Sequence, residues 1–120
     1  MLFRSDELRA LVDDVAKSGG LAGQVHMEHE REPFETPTDD DAVQAVVAAH
    51  ERVAGGSPEY VGMRIVGDAN IYVHGTGIPT FYYGPSNETA HADVEWVDER
   101  RLGEAASVYA LAAMRYCGIA

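Results

Sequence analysis

The side chains best suited to chemistry are gathered in one short stretch, Asn87-Glu88-Thr89-Ala90-His91-Ala92-Asp93-Val94-Glu95. A neutral imidazole can give a lone pair to a divalent metal, and a nearby carboxylate can accept from its second ring nitrogen and so fix the tautomer. His91, with Asp93 and Glu95 close by in sequence, offers that combination for a zinc site. The spacing of two also has a plainer reading. In extended backbone His91, Asp93 and Glu95 share one face, with Ala92, Val94 and Trp96 on the other, as on a solvated edge strand. Asn87 can offer an amide to a substrate oxygen, or it can stabilise the turn after Pro85.

A second place is Gly67-Asp68-Ala69. A glycine before a helix start bares backbone N–H groups at the positive end of the dipole, a seat for a carboxylate or phosphate, although an ordinary capped helix fits the same residues. The other histidines carry less. His26 and His29 fall on one alternating segment, His50 on a helix flank, and His74 before Gly75 at a helix end. Structural or solvated roles suit all four. No serine sits on a nucleophile-elbow turn, so no Ser-His-Asp arrangement can be built.

The elements that would position these residues follow from pattern. Ile78 to Tyr83 is an apolar and aromatic run bounded by Gly77 and by Gly84-Pro85, which predicts a buried strand with the Asn87–Glu95 loop beyond its carboxyl end. Leu8, Leu11, Val12 and Val15 predict an amphipathic helix from Asp6 to Lys17. Alternation from Gly23 to Glu32 predicts a half-exposed strand. Pro33, Pro37 and the acidic run to Asp41 mark a boundary, dividing the chain into residues 1–32 and 33–120. Thr38 is placed to cap the next helix, with Val43, Val46, Val47 and Val53 as its buried stripe and Gly55-Gly56 as its stop. Asp68 caps a short helix through Val73. Asp98 caps the last one, which reaches about Tyr116 with a stripe of Leu102, Ala105, Ala106, Tyr109, Ala112, Ala113 and Tyr116, its alanines suited to packing on a sheet. The expected class is α/β.

At 120 residues the chain suffices for one compact core. Nine Lys and Arg against twenty Asp and Glu leave a net charge of -11, without the clustered basic face that nucleic acid requires, and the same acidity disfavours anionic membranes. The single cysteine, Cys117, excludes an internal disulfide and a thiolate metal cluster, and points to a reducing compartment. No apolar run approaches the roughly 20 residues that span a bilayer, and a cytoplasmic location is expected. Met1-Leu2-Phe3-Arg4-Ser5 looks like a translated sequencing adapter, which would make the chain truncated upstream and residues 1–5 artefactual.

Taken in order, Gly67-Asp68-Ala69-Asn70, Gly77-Ile78-Pro79-Thr80 through Tyr83-Gly84-Pro85, His91-Ala92-Asp93-Val94-Glu95-Trp96-Val97 and the closing helix resemble a known family. It is the acetylornithine deacetylase and succinyl-diaminopimelate desuccinylase family of di-zinc amidohydrolases and metallopeptidases, which includes aminoacylase and carboxypeptidase G. Arg31-Glu32-Pro33-Phe34-Glu35-Thr36-Pro37 likewise resembles its return from lid to catalytic domain. The resemblance runs from Glu7 onward and implies the C-terminal part of a zinc-peptidase-like catalytic domain (33–120), preceded by the last helix and strand of a two-layer α+β lid that mediates dimerisation (1–32).

The same resemblance assigns roles. His91 becomes the last zinc ligand, with Glu95 four residues on in the metal's outer shell; Asn87 contacts substrate, and Gly67 with Asp68 helps hold the substrate carboxylate. Family members usually carry Thr or Ser at the place of Gly67. The remaining metal ligands and the glutamate acting as general base lie upstream of this chain, so the piece alone would be inactive. The implied reaction is hydrolysis of the amide bond of an N-acyl amino acid or small peptide, with zinc, or cobalt or manganese in its place, and a homodimeric full-length protein. The other reading is a stand-alone, non-catalytic acidic α/β interaction module.

Overall fold

A computed structural model describes residues 5–28, 31–85 and 88–119. Four helices make up its regular structure: α1 (Ser5–Ser18), α2 (Asp41–Ala54), α3 (Ala69–Thr76) and α4 (Glu99–Tyr116). None is long and apolar enough to cross a membrane, among the described residues.

The helix limits follow from their caps. Asp40, not Thr38, is the N-cap of α2: its Oδ1 accepts the Ala42 N–H at 2.9 Å, while the Thr38 carbonyl accepts from Gln44 Nε2. Asp98 caps α4 as expected, accepting from the N–H groups of Arg100 and Arg101. α1 and α4 close with the same paired pattern. Leu21 N–H reaches back to Ala16 O and Gly20 N–H to Lys17 O; in α4, Ile119 N–H bonds to Met114 O and Gly118 N–H to Arg115 O. Gly20 and Gly118 take the left-handed conformation this closure demands, with φ of 65° and 70°.

The core lies between α2 and α4, the one helix pair in extensive contact among the described residues. Ala49, Val108 and Ala112 form its centre, with Val46, Val53, Tyr83 and Leu111 packed around them. Small side chains on both helices let the backbones approach closely. α1 buries no residue and packs on its own following segment, where Leu11, Val12, Val15 and Ala16 face Leu21 and Ala22.

The α/β expectation is corrected: among the described residues there is no strand, and helices are the only regular elements. Strand propensity is local, but a strand also needs a neighbour to complete its ladder. The described part of 23–32 and the run 78–83 have no ladder partner. In the second run, hydroxyl groups take up backbone carbonyls instead. Thr80 Oγ1 donates to Ile78 O, Thr36 Oγ1 to Thr80 O, and the Tyr109 hydroxyl to Tyr83 O. The anticipated packing of the last helix on a sheet is likewise replaced by packing on α2.

That apolar run is fastened on two sides. Tyr83 enters the α2–α4 core, where its ring lies 5.8 Å from His50 and 5.7 Å from Tyr109, both edge-to-face, and its hydroxyl is 2.8 Å from His50 Nδ1. Tyr82 turns the other way and meets Phe34 at 6.3 Å.

Candidate functional site

The 88–98 segment links the apolar run to α4, and it is shaped by its own side chains. His91 has φ of 65°, the one non-glycine residue with positive φ among those described. That conformation costs an L-residue about 1–2 kcal/mol, although histidine is among the types found there more often than most. Its N–H donates to Glu95 Oε1 at 2.5 Å, and Ala92 N–H donates to Thr89 O. Thr89 in turn bonds through its hydroxyl to the main chain of Trp96, and the Glu88 carboxylate pairs with Arg101 of α4 at 3.3 Å.

His91 is exposed, as are Asp93 and Glu95. Glu95 therefore meets His91 at the main chain and not at the ring. No hydrogen bond from a described residue engages the His91 ring nitrogens. Asn87 lies outside the described residues.

At the second place, Asp68 holds the N-cap position of α3 by its carbonyl, which accepts from Ile71 N–H at 2.9 Å and Tyr72 N–H at 3.2 Å; its carboxylate makes no cap bond. Gly67 is packed tightly. A Cβ there would stand 2.6 Å from the Tyr82 hydroxyl, so the Thr or Ser usual in the resembled family cannot enter without moving that ring. The Gly67 carbonyl accepts from Arg31 Nη1 at 3.2 Å, which brings a guanidinium beside the start of α3.

Arg31 belongs to a clamp that pattern reading did not isolate. Asn70 Nδ2 and His74 Nε2, one turn apart on α3, both donate to the Glu32 carbonyl, at 2.6 and 3.1 Å. The i, i+4 spacing of Asn70 and His74, opposite the Pro-rich 31–37 segment, was the available signal. His74 is thus structural, as expected, and so is His50 against Tyr83. Burial pushes the Tyr83 phenol above its ordinary value of 10.0, and negative charge at Tyr109 and Glu104 pushes it the same way.

A groove of about 580 Å³ opens on the α3 side, lined among others by Arg31, Phe34, Val47, Met63, Asn70 and Tyr82. It does not include His91. The two candidate places are joined by no hydrogen bond or ion pair among the described residues, and no group of three or more His, Cys, Asp or Glu that could hold a metal occurs among them.

Comparison with protein families matches residues 8–115 to the model of peptidase family M20/M25/M40. The chain belongs to this family. Both candidate places, the 31–37 segment and all of α2 to α4 except Tyr116 fall within the match. No curated protein and no solved structure matches the M20 chain. Family membership makes it part of a group of hydrolases that act as peptidases.

Proposed function

We propose that these residues form part of a cytoplasmic, zinc-dependent amidohydrolase that cleaves the amide bond of an N-acyl amino acid or small peptide. Within family M20/M25/M40 the resembled branch is that of acetylornithine deacetylase, succinyl-diaminopimelate desuccinylase, aminoacylase and carboxypeptidase G. The match over residues 8–115 carries this reading. In it His91 is a metal ligand, and its placement suits that part: an exposed residue on a closed loop, with no hydrogen bond from a described residue to its ring nitrogens.

One imidazole fits one coordination position and no more. In this reading the other ligands and the general base are supplied by the rest of a longer protein, and the piece by itself is inactive. When bound, zinc, or cobalt or manganese in its stead, would supply an activated water and a polarised carbonyl. The residues of this chain would do the rest of what is asked of them. Glu95 holds the His91 main chain. The start of α3, with the Gly67 backbone, Asp68 and the nearby Arg31 guanidinium, seats the substrate carboxylate, and Asn87 offers an amide to a substrate oxygen.

The test is made in the full-length protein against a panel of N-acyl amino acids and dipeptides. His91→Ala is expected to abolish metal-dependent hydrolysis while leaving the fold intact by circular dichroism. Retention of full activity would remove His91 from the site.

A further inference from the structure

Thr89 stands two residues before His91, and its hydroxyl works in both directions across the loop. It accepts the Trp96 N–H at 3.0 Å and donates to the Trp96 carbonyl at 3.0 Å. Residues 89 to 96 are thereby drawn into a ring closed by one side chain. Inside that ring lie two contacts of shorter sequence span, Ala92 N–H to Thr89 O at 3.0 Å and His91 N–H to Glu95 Oε1 at 2.5 Å. An open loop would let His91 relax to an ordinary backbone conformation; the closed one keeps φ at 65°.

We propose that Thr89 is a positioning residue for His91: its hydroxyl fixes the loop ends, and the fixed ends hold His91 in the left-handed conformation that presents its imidazole to solvent. The consequence for metal affinity rests on the reading of His91 as a ligand. A ligand already ordered loses less freedom on binding, so loosening the loop is expected to weaken metal affinity by less than the roughly 10- to 100-fold that follows loss of a direct partner of the ligand.

Valine matches threonine in shape and lacks the hydroxyl, whereas serine keeps the hydroxyl and loses the methyl. Thr89→Val and Thr89→Ser therefore separate hydrogen bonding from volume. In the metal-free full-length protein, amide exchange of His91 and Trp96 by nuclear magnetic resonance is expected to quicken about 10-fold in Thr89→Val and to stay within about twofold of the parent in Thr89→Ser. Amides around Val108 report that the fold is kept. Titration of the metal-free full-length protein, where the remaining ligands are present, with zinc chloride, followed on the His91 ring, should show weaker binding in the valine variant and recovery in the serine variant.

Equal His91 exchange in parent and Thr89→Val overturns the proposal whatever zinc does. Unequal exchange with equal zinc binding overturns it as well, because the ordering then has no effect on the ring. Unequal exchange with a parent ring indifferent to zinc upholds the positioning role and overturns the ligand reading, so the two fail separately.

Discussion

Single atoms decide several properties of this chain. The Tyr82 hydroxyl occupies the space beside Gly67, so Gly67→Thr must swing the ring away and forfeit its contact with Phe34. The expected loss is about 1 kcal/mol, the worth of an aromatic pair, measured by chemical denaturation. Tyr83 gives a pH dependence. Its folded phenol ionises above the ordinary 10.0, so below that value both states are neutral and the full stability is present. As pH rises past 10.0 the unfolded tyrosine ionises first, and stability falls until the folded pKa is passed. Denaturation between pH 8 and 11 should show this decline and its reduction in Tyr83→Phe; an identical slope in the variant would refute the assignment. Little of this detail was legible in the sequence. Nothing in the identity of His91 announces a positive φ, and Thr89 is found only when Trp96 is seen to face it.

Helices were the readable part, because their signals are local. The acidic cap at Asp98, the glycine stops and 3.6-residue spacing need no knowledge of the rest of the chain, although the cap of α2 is Asp40 where the sequence suggested Thr38. The buried stripe of α4 was less readable. Of the expected stripe, Ala105 and Ala112 are buried, whereas Leu102, Tyr109 and Tyr116 are exposed, and Val108, which is 0% exposed and part of the core centre, lies outside it. The apolar character of Ile78 to Tyr83 was visible but its pairing was not, since a ladder depends on residues distant in sequence. Two measurements follow at this scale. Val108→Ala should destabilise the α2–α4 pair by about 2 kcal/mol, and Leu102→Ala by well under half of that, because one side chain is enclosed and the other is not. Asp98→Ala removes the acceptor of two helix N–H groups and should cost about 1 kcal/mol by the same denaturation assay; no change would mean the first turn of α4 is held by other means.

Taken whole, the molecule is elongated, 66 × 35 × 21 Å, with a radius of gyration of 19.7 Å where a compact chain of this length has about 14 Å. It exposes 9667 Å², against about 6,300 Å² for a globular protein of the same mass. The excess is of the size that large protein interfaces cover, and exposed Val61, Ile78 and Val94 contribute to it. Self-association in concentrated solution is therefore expected, opposed by the net charge of -11 and favoured by salt that screens it. Sedimentation at low and high ionic strength checks this, and a monomer under both conditions at high concentration would contradict it. Trp96, 58% exposed, is the sole tryptophan of the 120 residues, and its main chain is what Thr89 grips. Indole fluorescence from these 120 residues consequently originates in the His91 loop. Emission colour and quenching by iodide thus form a built-in optical gauge of whether that loop is shut, legible without any attached dye.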